Sequence, residues 1–196
     1  MSNQLSYGGF WRRTGALIID FLVFAPITAL YWILFQLSPG VAIVSVVVFG
    51  ALPFVYHVLF HARWGQTLGK MATKVRVIAT NGEPIGLKRA LLRSLVDIVL
   101  WLAFASSMAV TLASWGSTPW RLLGWADRFR LINDRNPFYT TYEWASQAWM
   151  WSEVVVLLLN RRRRALHDFI AGTVVVKVER SEERSQPLPP PVPMPQ

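Results

Sequence analysis

Residues 16–37 read ALIIDFLVFAPITALYWILFQL, 22 residues with a single charge, Asp20. A helix rises 1.5 Å per residue, so this stretch crosses the roughly 30 Å hydrocarbon layer of a bilayer. A run this long and this apolar is a transmembrane helix. Ser38-Pro39-Gly40 makes a tight turn by composition. A second apolar run, about 41–60, carries no charge and completes a helical hairpin. A third covers about 95–115, with Asp97 near its start. A fourth, about 144–160, is shorter, opens with several Trp and carries Glu153. The chain is therefore expected to be an all-α membrane protein, a bundle of about four transmembrane helices.

Composition points the same way. The 196 residues are 53% hydrophobic, in blocks rather than in alternation, so little soluble core remains once the blocks enter lipid. Cysteine is absent, which excludes disulfides and thiolate metal sites. The net charge of +9 would suggest nucleic acid in a soluble chain. Here 16 of the 20 Lys and Arg lie in the N-terminus, the loop after the second run and the C-terminus. The Ser38 turn holds none, and the loop between the third and fourth runs holds four. That asymmetry is the positive-inside pattern, with both termini cytoplasmic and no nucleic-acid partner. Ten Trp suit the headgroup boundary. Met1 to Phe10 lacks a basic n-region, so no cleaved signal peptide is expected.

The connections carry their own patterns. Lys74 to Ala79 alternates and is followed by Asn81-Gly82, a hairpin signal. Thr173 to Val178 is β-branched, and the two segments are expected to form a small cytoplasmic β-hairpin or sheet. Leu87 to Ser94 reads as a basic lead-in to the third span. Within 116–143, Thr118-Pro119 resembles a helix start with Thr as N-cap. The mixture of Trp120, Leu122, Leu123, Trp125, Phe129 and Leu131 with Arg121, Arg128 and Arg130 predicts an interfacial helix on the outer face. Residues 178–196 are Pro-rich and charged and are expected to be disordered.

Asp20 is the sharpest chemical feature. An acidic group at a helix centre in lipid costs about 2.5–3.5 kcal/mol, so it must accept hydrogen bonds, take a proton or bind a cation. Arg13 lies on the same helix face, about 10 Å away along the axis, too far for a direct pair. Arg93 and Asp97 have the spacing of a same-face pair. Glu153 joins the list of candidate ion or proton groups if its helix spans. His57 and His61 share a face, but no third metal ligand is placed by sequence. His167-Asp168 follows Arg161 to Arg164, and an Arg13–Asp168 contact is topologically allowed. Gly65-Gln66-Thr67-Leu68-Gly69-Lys70 fails as a phosphate loop, because its glycine spacing is one short and Met71 stands where Ser or Thr is needed. It reads as a tight turn after the second span. No hydrolase signature is present and no enzyme activity or cofactor is expected.

Phe10-Trp11-Arg12-Arg13, Ala16 and Ile19-Asp20, then Gly65 to Lys70, then Leu166-His167-Asp168 and Ala171 to Val175, together resemble the RDD membrane protein family. The resemblance covers about Tyr7 to Lys177 and marks 1–177 as an RDD-like transmembrane domain. It implies that the signature arginine is Arg13 and that the aspartates are Asp20 and Asp168. Gly65, Gln66, Gly69, Lys70 and His167 form the accompanying cytoplasmic motif. The long Trp-rich connection at 116–143 departs from the family pattern. The resemblance also implies a bacterial inner-membrane protein, with transport, including cation/proton exchange, proposed for some members.

Two functions follow as expectations. One is transport of a small ion or solute, with Asp20 as the site and Asp97 and Glu153 as relays. The other is a non-transporting scaffold that binds membrane proteins, with the signature residues holding the fold. Four short helices enclose little volume, so a homo-oligomer in the lipid bilayer is expected for either.

Overall fold

The computed structural model describes residues 6–116 and 119–178. Helix α1 is Phe10–Phe35 and α2 is Pro39–Trp64. Between them the Ser38 hydroxyl accepts from Val41 N at 3.3 Å and Pro39 opens α2, a capped N-terminus as the composition requires. Gly65 ends α2 in the left-handed region, φ 67°. A short helix α3, Leu68–Ala72, leads into strand β1, Val75–Ala79. Helix α4, Leu87–Ala113, absorbs the basic lead-in and the third span into one 27-residue helix. Helices α5, Trp125–Arg135, and α6, Tyr139–Leu159, follow, then the short α7, Leu166–Ile170, and strand β2, Thr173–Lys177.

Among the described residues, α1, α2 and α4 are long and apolar enough to cross a membrane. Helix α6 has 21 residues, about 31 Å. It starts at Tyr139 rather than near 144, and Thr140, Thr141, Glu143, Ser146 and Gln147 dilute its apolar character. The helices turn large side chains such as Leu17, Phe21, Leu22 and Val110 outward. Small residues line the contacts: Ala16, Ala42, Ser45, Ala90 and Ala105 are buried. Without a hydrophobic drive in lipid, close backbone approach supplies the packing. Helices α2 and α4 make the widest contact, and the Trp101 indole nitrogen lies 2.3 Å from where a Cβ on Gly50 would sit.

The β-sheet caps one end. Strands β1 and β2 pair antiparallel, from Val75 opposite Lys177 to Ala79 opposite Thr173. Val75, Val77 and Ala79 face inward with Val175 and Ile85, and Arg76 faces out, the period-2 pattern of the sequence. The chain reverses at Asn81-Gly82, Gly82 having φ 88°, but the local return is only an Ile78–Pro84 bridge. The strand's partner comes from the C-terminal segment instead. The N-terminal segment joins β2's other edge, with Gly8 N donating to Val175 O and Lys177 N to Ser6 O.

At the far end, Phe35, Val46, Met108, Leu112, Trp115, Trp120 and Ile132 form a second core. The helix expected from Thr118 is a 3-10 turn at Trp120–Leu122, and α5 begins only after Gly124. Thr118 itself, and residues 179–196 of the tail expected to be disordered over 178–196, lie outside the described residues, while Val178 N donates to Lys74 O at 2.9 Å.

Candidate functional site

Asp168 is the hub of the sheet end. Its position in α7 lets its carboxylate reach back to the helix start, where Ala165 N donates to Oδ2 at 3.0 Å. Arg13, in the first turn of α1, donates from Nη1 to Oδ2 at 2.8 Å. Arg93 of α4 contacts Oδ1 through Nη1 and donates from the same nitrogen to the Thr173 hydroxyl at 2.7 Å. The Thr173 hydroxyl in turn donates to Oδ1 at 3.1 Å. Asp168 has no exposed surface. Burial alone raises its pKa, but Arg93, His167 and Arg13 outweigh that and hold the carboxyl well below the usual carboxylate range.

A second layer fixes the first. Arg13 Nη2 also donates to Arg163 O, and Arg163 takes a left-handed φ of 51° there. Arg164 donates to Asp168 O at 2.9 Å and to Thr173 O at 3.0 Å. His167 Nε2 lies 2.8 Å from Arg93 Nη2, and its Nδ1 faces Glu153 Oε2. Glu153 Oε1 accepts from His167 N at 2.9 Å. Around the carboxylates of Asp168 and Glu153 stand three guanidiniums, of Arg13, Arg93 and Arg164, each hydrogen-bonded to protein, as buried charge requires.

Asp20 forms a separate knot one level deeper. Its Oδ1 accepts from the Tyr56 hydroxyl at 2.8 Å and from Gly69 N at 2.8 Å, and its Oδ2 from the Thr67 hydroxyl at 2.6 Å. It is 7% exposed. The glycines of the 65–70 motif serve this knot. A Cβ on Gly69 would stand 2.0 Å from Ala16 O, so only glycine lets α3 lie against α1. Gly65 accepts from Val77 N at 2.8 Å, and Gln66 Nε2 donates to Val75 O at 2.9 Å, tying the turn to β1. His61 Nδ1 faces its own helix's His57 O at 2.7 Å, so its Nε2 accepts from Lys70 Nζ at 2.8 Å. Burial, then Arg93, pulls the Lys70 pKa from 10.5 down to about 7 against the opposing pull of Asp20.

The structure thus joins Arg13 to Asp168 and places Asp20 among protein donors. It corrects the expected Arg93–Asp97 pair: Arg93 turns to Asp168, and Asp97 Oδ1 accepts from the Trp149 indole at 2.8 Å. Asp20, Asp97 and Glu153 share no hydrogen-bond partner. Sequence reasoning missed Arg93, Tyr56, Thr67, Trp149 and Thr173 as site residues. Thr67 carries one legible signal, since it caps α3 immediately before the glycine. Among the described residues no group of three or more His, Asp or Glu is arranged to hold a metal ion.

The chain is 22% identical over 179 residues to the uncharacterized protein YckC of Bacillus subtilis (strain 168), covering 89% of this chain and 87% of YckC. No solved structure matches. The model of the RDD family matches residues 7–172, a stretch that contains Arg13, Asp20 and Asp168 with every partner named for them apart from Thr173. With three helices apolar enough to cross a bilayer, the chain is a membrane protein, and it belongs to the RDD family.

Proposed function

We propose that this protein is a non-transporting module of the bacterial inner membrane that binds and positions other membrane components, with its sheet end and both termini in the cytoplasm. The state of Asp20 carries this reading. Three protein donors take three of the roughly four acceptor sites of its two oxygens, and at 7% exposure it is nearly sealed from solvent, which speaks against a binding site for a passing ion. Arg13 and Asp168 are consumed in the same way, by each other and by Arg93. The gathering of Lys and Arg in the segments of the sheet end supports the orientation. A homo-oligomer in the bilayer fits the small volume that the helices enclose.

The experiment is reconstitution of purified protein into vesicles with a pH-sensitive dye. Under sodium or potassium gradients, wild type is expected to give no flux above empty vesicles. Asp20→Asn keeps an oxygen for Tyr56 and Gly69 and costs about 1–2 kcal/mol, whereas Asp20→Ala strands three donors at about 1–3 kcal/mol each and removes the folded yield. Wild-type exchange that vanishes in well-folded Asp20→Asn overturns the proposal.

One observation favours a second reading, proton-coupled transport. Lys70 Nζ lies 2.8 Å from His61 Nε2, and burial pulls its pKa from 10.5 down to about 7. Its folded value lies below the ordinary 10.5, so the unfolded chain binds more protons between about pH 7 and 10.5. Its contribution therefore makes stability rise with pH across that window. Unfolding of detergent-solubilised protein at pH 7 and pH 9.5 is expected to show the rise, and Lys70→Met to flatten it. Under the transport reading, Lys70→Met also abolishes flux while the protein stays folded.

A further inference from the structure

Arg128 is a buried cation whose neighbours do not account for all of it. It is 5% exposed. Its Nη2 donates to Trp120 O at 3.0 Å and Leu123 O at 2.9 Å, and its guanidinium lies 4.7 Å from the Trp120 ring centroid. These contacts brace the turn before α5, yet none is an anion. Its Nε is buried without a hydrogen-bond partner. Among the described residues, no carboxylate lies within ion-pair distance of it.

Arg128 lines a cavity of about 450 Å³. The remaining wall is Trp32, Phe35 and Gln36 of α1 with Trp125, Phe129 and Ile132 of α5. The cavity sits where α1 ends. Trp120 Nε1 donates to Gln36 O at 3.1 Å, and Arg121 Nε to Leu37 O at 2.8 Å, so this turn is pinned to the last residues of a membrane-crossing helix. That is headgroup height, where Trp and Arg gather. Over 119–138, Arg121, Arg128, Arg130 and Arg135 outnumber Asp127 and Asp134. A cation short of an anion, above an aromatic wall that faces the lipid, matches an anionic amphiphile.

We propose that this cavity binds an anionic phospholipid from the leaflet at the far end, with the lipid phosphate on Arg128 and an acyl chain along Trp32, Phe35 and Phe129. The site lies away from Arg13, Asp20 and Asp168, so it stands or falls independently of whether the protein transports.

The test is native mass spectrometry of the full chain in detergent, titrated with phosphatidylglycerol and phosphatidylcholine of matched acyl chains. Phosphatidylglycerol is expected to bind about tenfold more tightly, because its phosphate keeps a net negative charge that the choline ammonium offsets in phosphatidylcholine. Arg128→Gln is expected to erase the preference and Arg128→Lys to restore part of it. Arg128 also braces backbone, so Trp125→Ala serves as the second variant. Trp125 is 71% exposed, so its loss is expected to leave the fold standing. That variant is expected to bind phosphatidylglycerol several-fold more weakly at unchanged thermal stability. Equal binding of the two lipids overturns the proposal, as does a preference that survives in folded Arg128→Gln. Unchanged affinity in Trp125→Ala, displacement of the lipid by equimolar inorganic phosphate, or a chain dimer in place of lipid overturns it too.

Discussion

Asp168→Asn is expected to remove most of the folded protein from the membrane fraction and to lower the melting temperature of what remains by 10 °C or more. Two guanidiniums converge on this fully buried carboxylate, Arg13 from α1 and Arg93 from α4. An amide of the same shape keeps one acceptor oxygen but no charge, and its NH2 group points donors at donors. Breaking a buried ion pair from one side costs about 3–5 kcal/mol, because the partner charge is left unpaired, and here two partners are stranded. The loss reaches three elements at once. Arg13 anchors α1, Arg93 anchors α4, and Thr173 opens β2. Because its pKa is depressed, Asp168 contributes its full stabilisation at pH values above the ordinary carboxylate value of about 3.9, and that contribution is lost progressively as pH falls from there toward the depressed folded value. Detergent-extracted yield and a thermal melt of wild type and variant measure the effect. Normal yield and melting would show that the network is dispensable.

Gly69→Ala is expected to be nearly as damaging, although it adds one methyl group. The new carbon would lie 2.0 Å from Ala16 O and 2.9 Å from the Asp20 carboxyl carbon. Backbone cannot step aside as a side chain can, so α3 must move off α1. That movement takes Gly69 N away from Asp20 Oδ1 and pulls on Thr67, the donor to Oδ2. Overpacking of a closed site costs about 1–3 kcal/mol, and each stranded buried donor adds about 1–3 more. Gly86→Ala is the control, since nothing beyond its own chain neighbours lies within 4 Å of its added carbon. Equal melting temperatures for the two variants would mean that α3 has room the geometry denies it.

Much of the architecture was legible in the chain. The three long helices follow from apolar runs interrupted by little charge. The strands follow from the alternation at Val75 to Ala79 and from the β-branched run at Thr173 to Lys177. What failed did so for physical reasons. The Arg93–Asp97 spacing suggested a local pair, worth about 0.2–0.5 kcal/mol on a helix surface. It loses to a buried carboxylate 75 residues away in sequence. Helix α6 extends back to Tyr139 because its polar, Trp-rich opening still forms helix, and hydropathy registers only the apolar half. Helix α5 starts after Gly124 because Trp120 is drawn down onto Gln36 and the backbone tightens into a 3-10 turn there. The Arg13–Asp168 contact was permitted by topology, but its sharing with Arg93, and the filling of Asp20 by Tyr56, Thr67 and Gly69, depend on tertiary proximity that no local spacing encodes.

A double-mutant cycle on Arg13→Gln and Asp168→Asn, read as melting temperatures in detergent, tests most directly whether the signature residues serve to hold the sheet end together. Strong coupling is expected: once Asp168 is neutral, removing the stranded Arg13 charge should raise the melting temperature above that of Asp168→Asn alone. Two losses that simply add would mean that these side chains act on stability separately and do not hold the sheet end together as a pair.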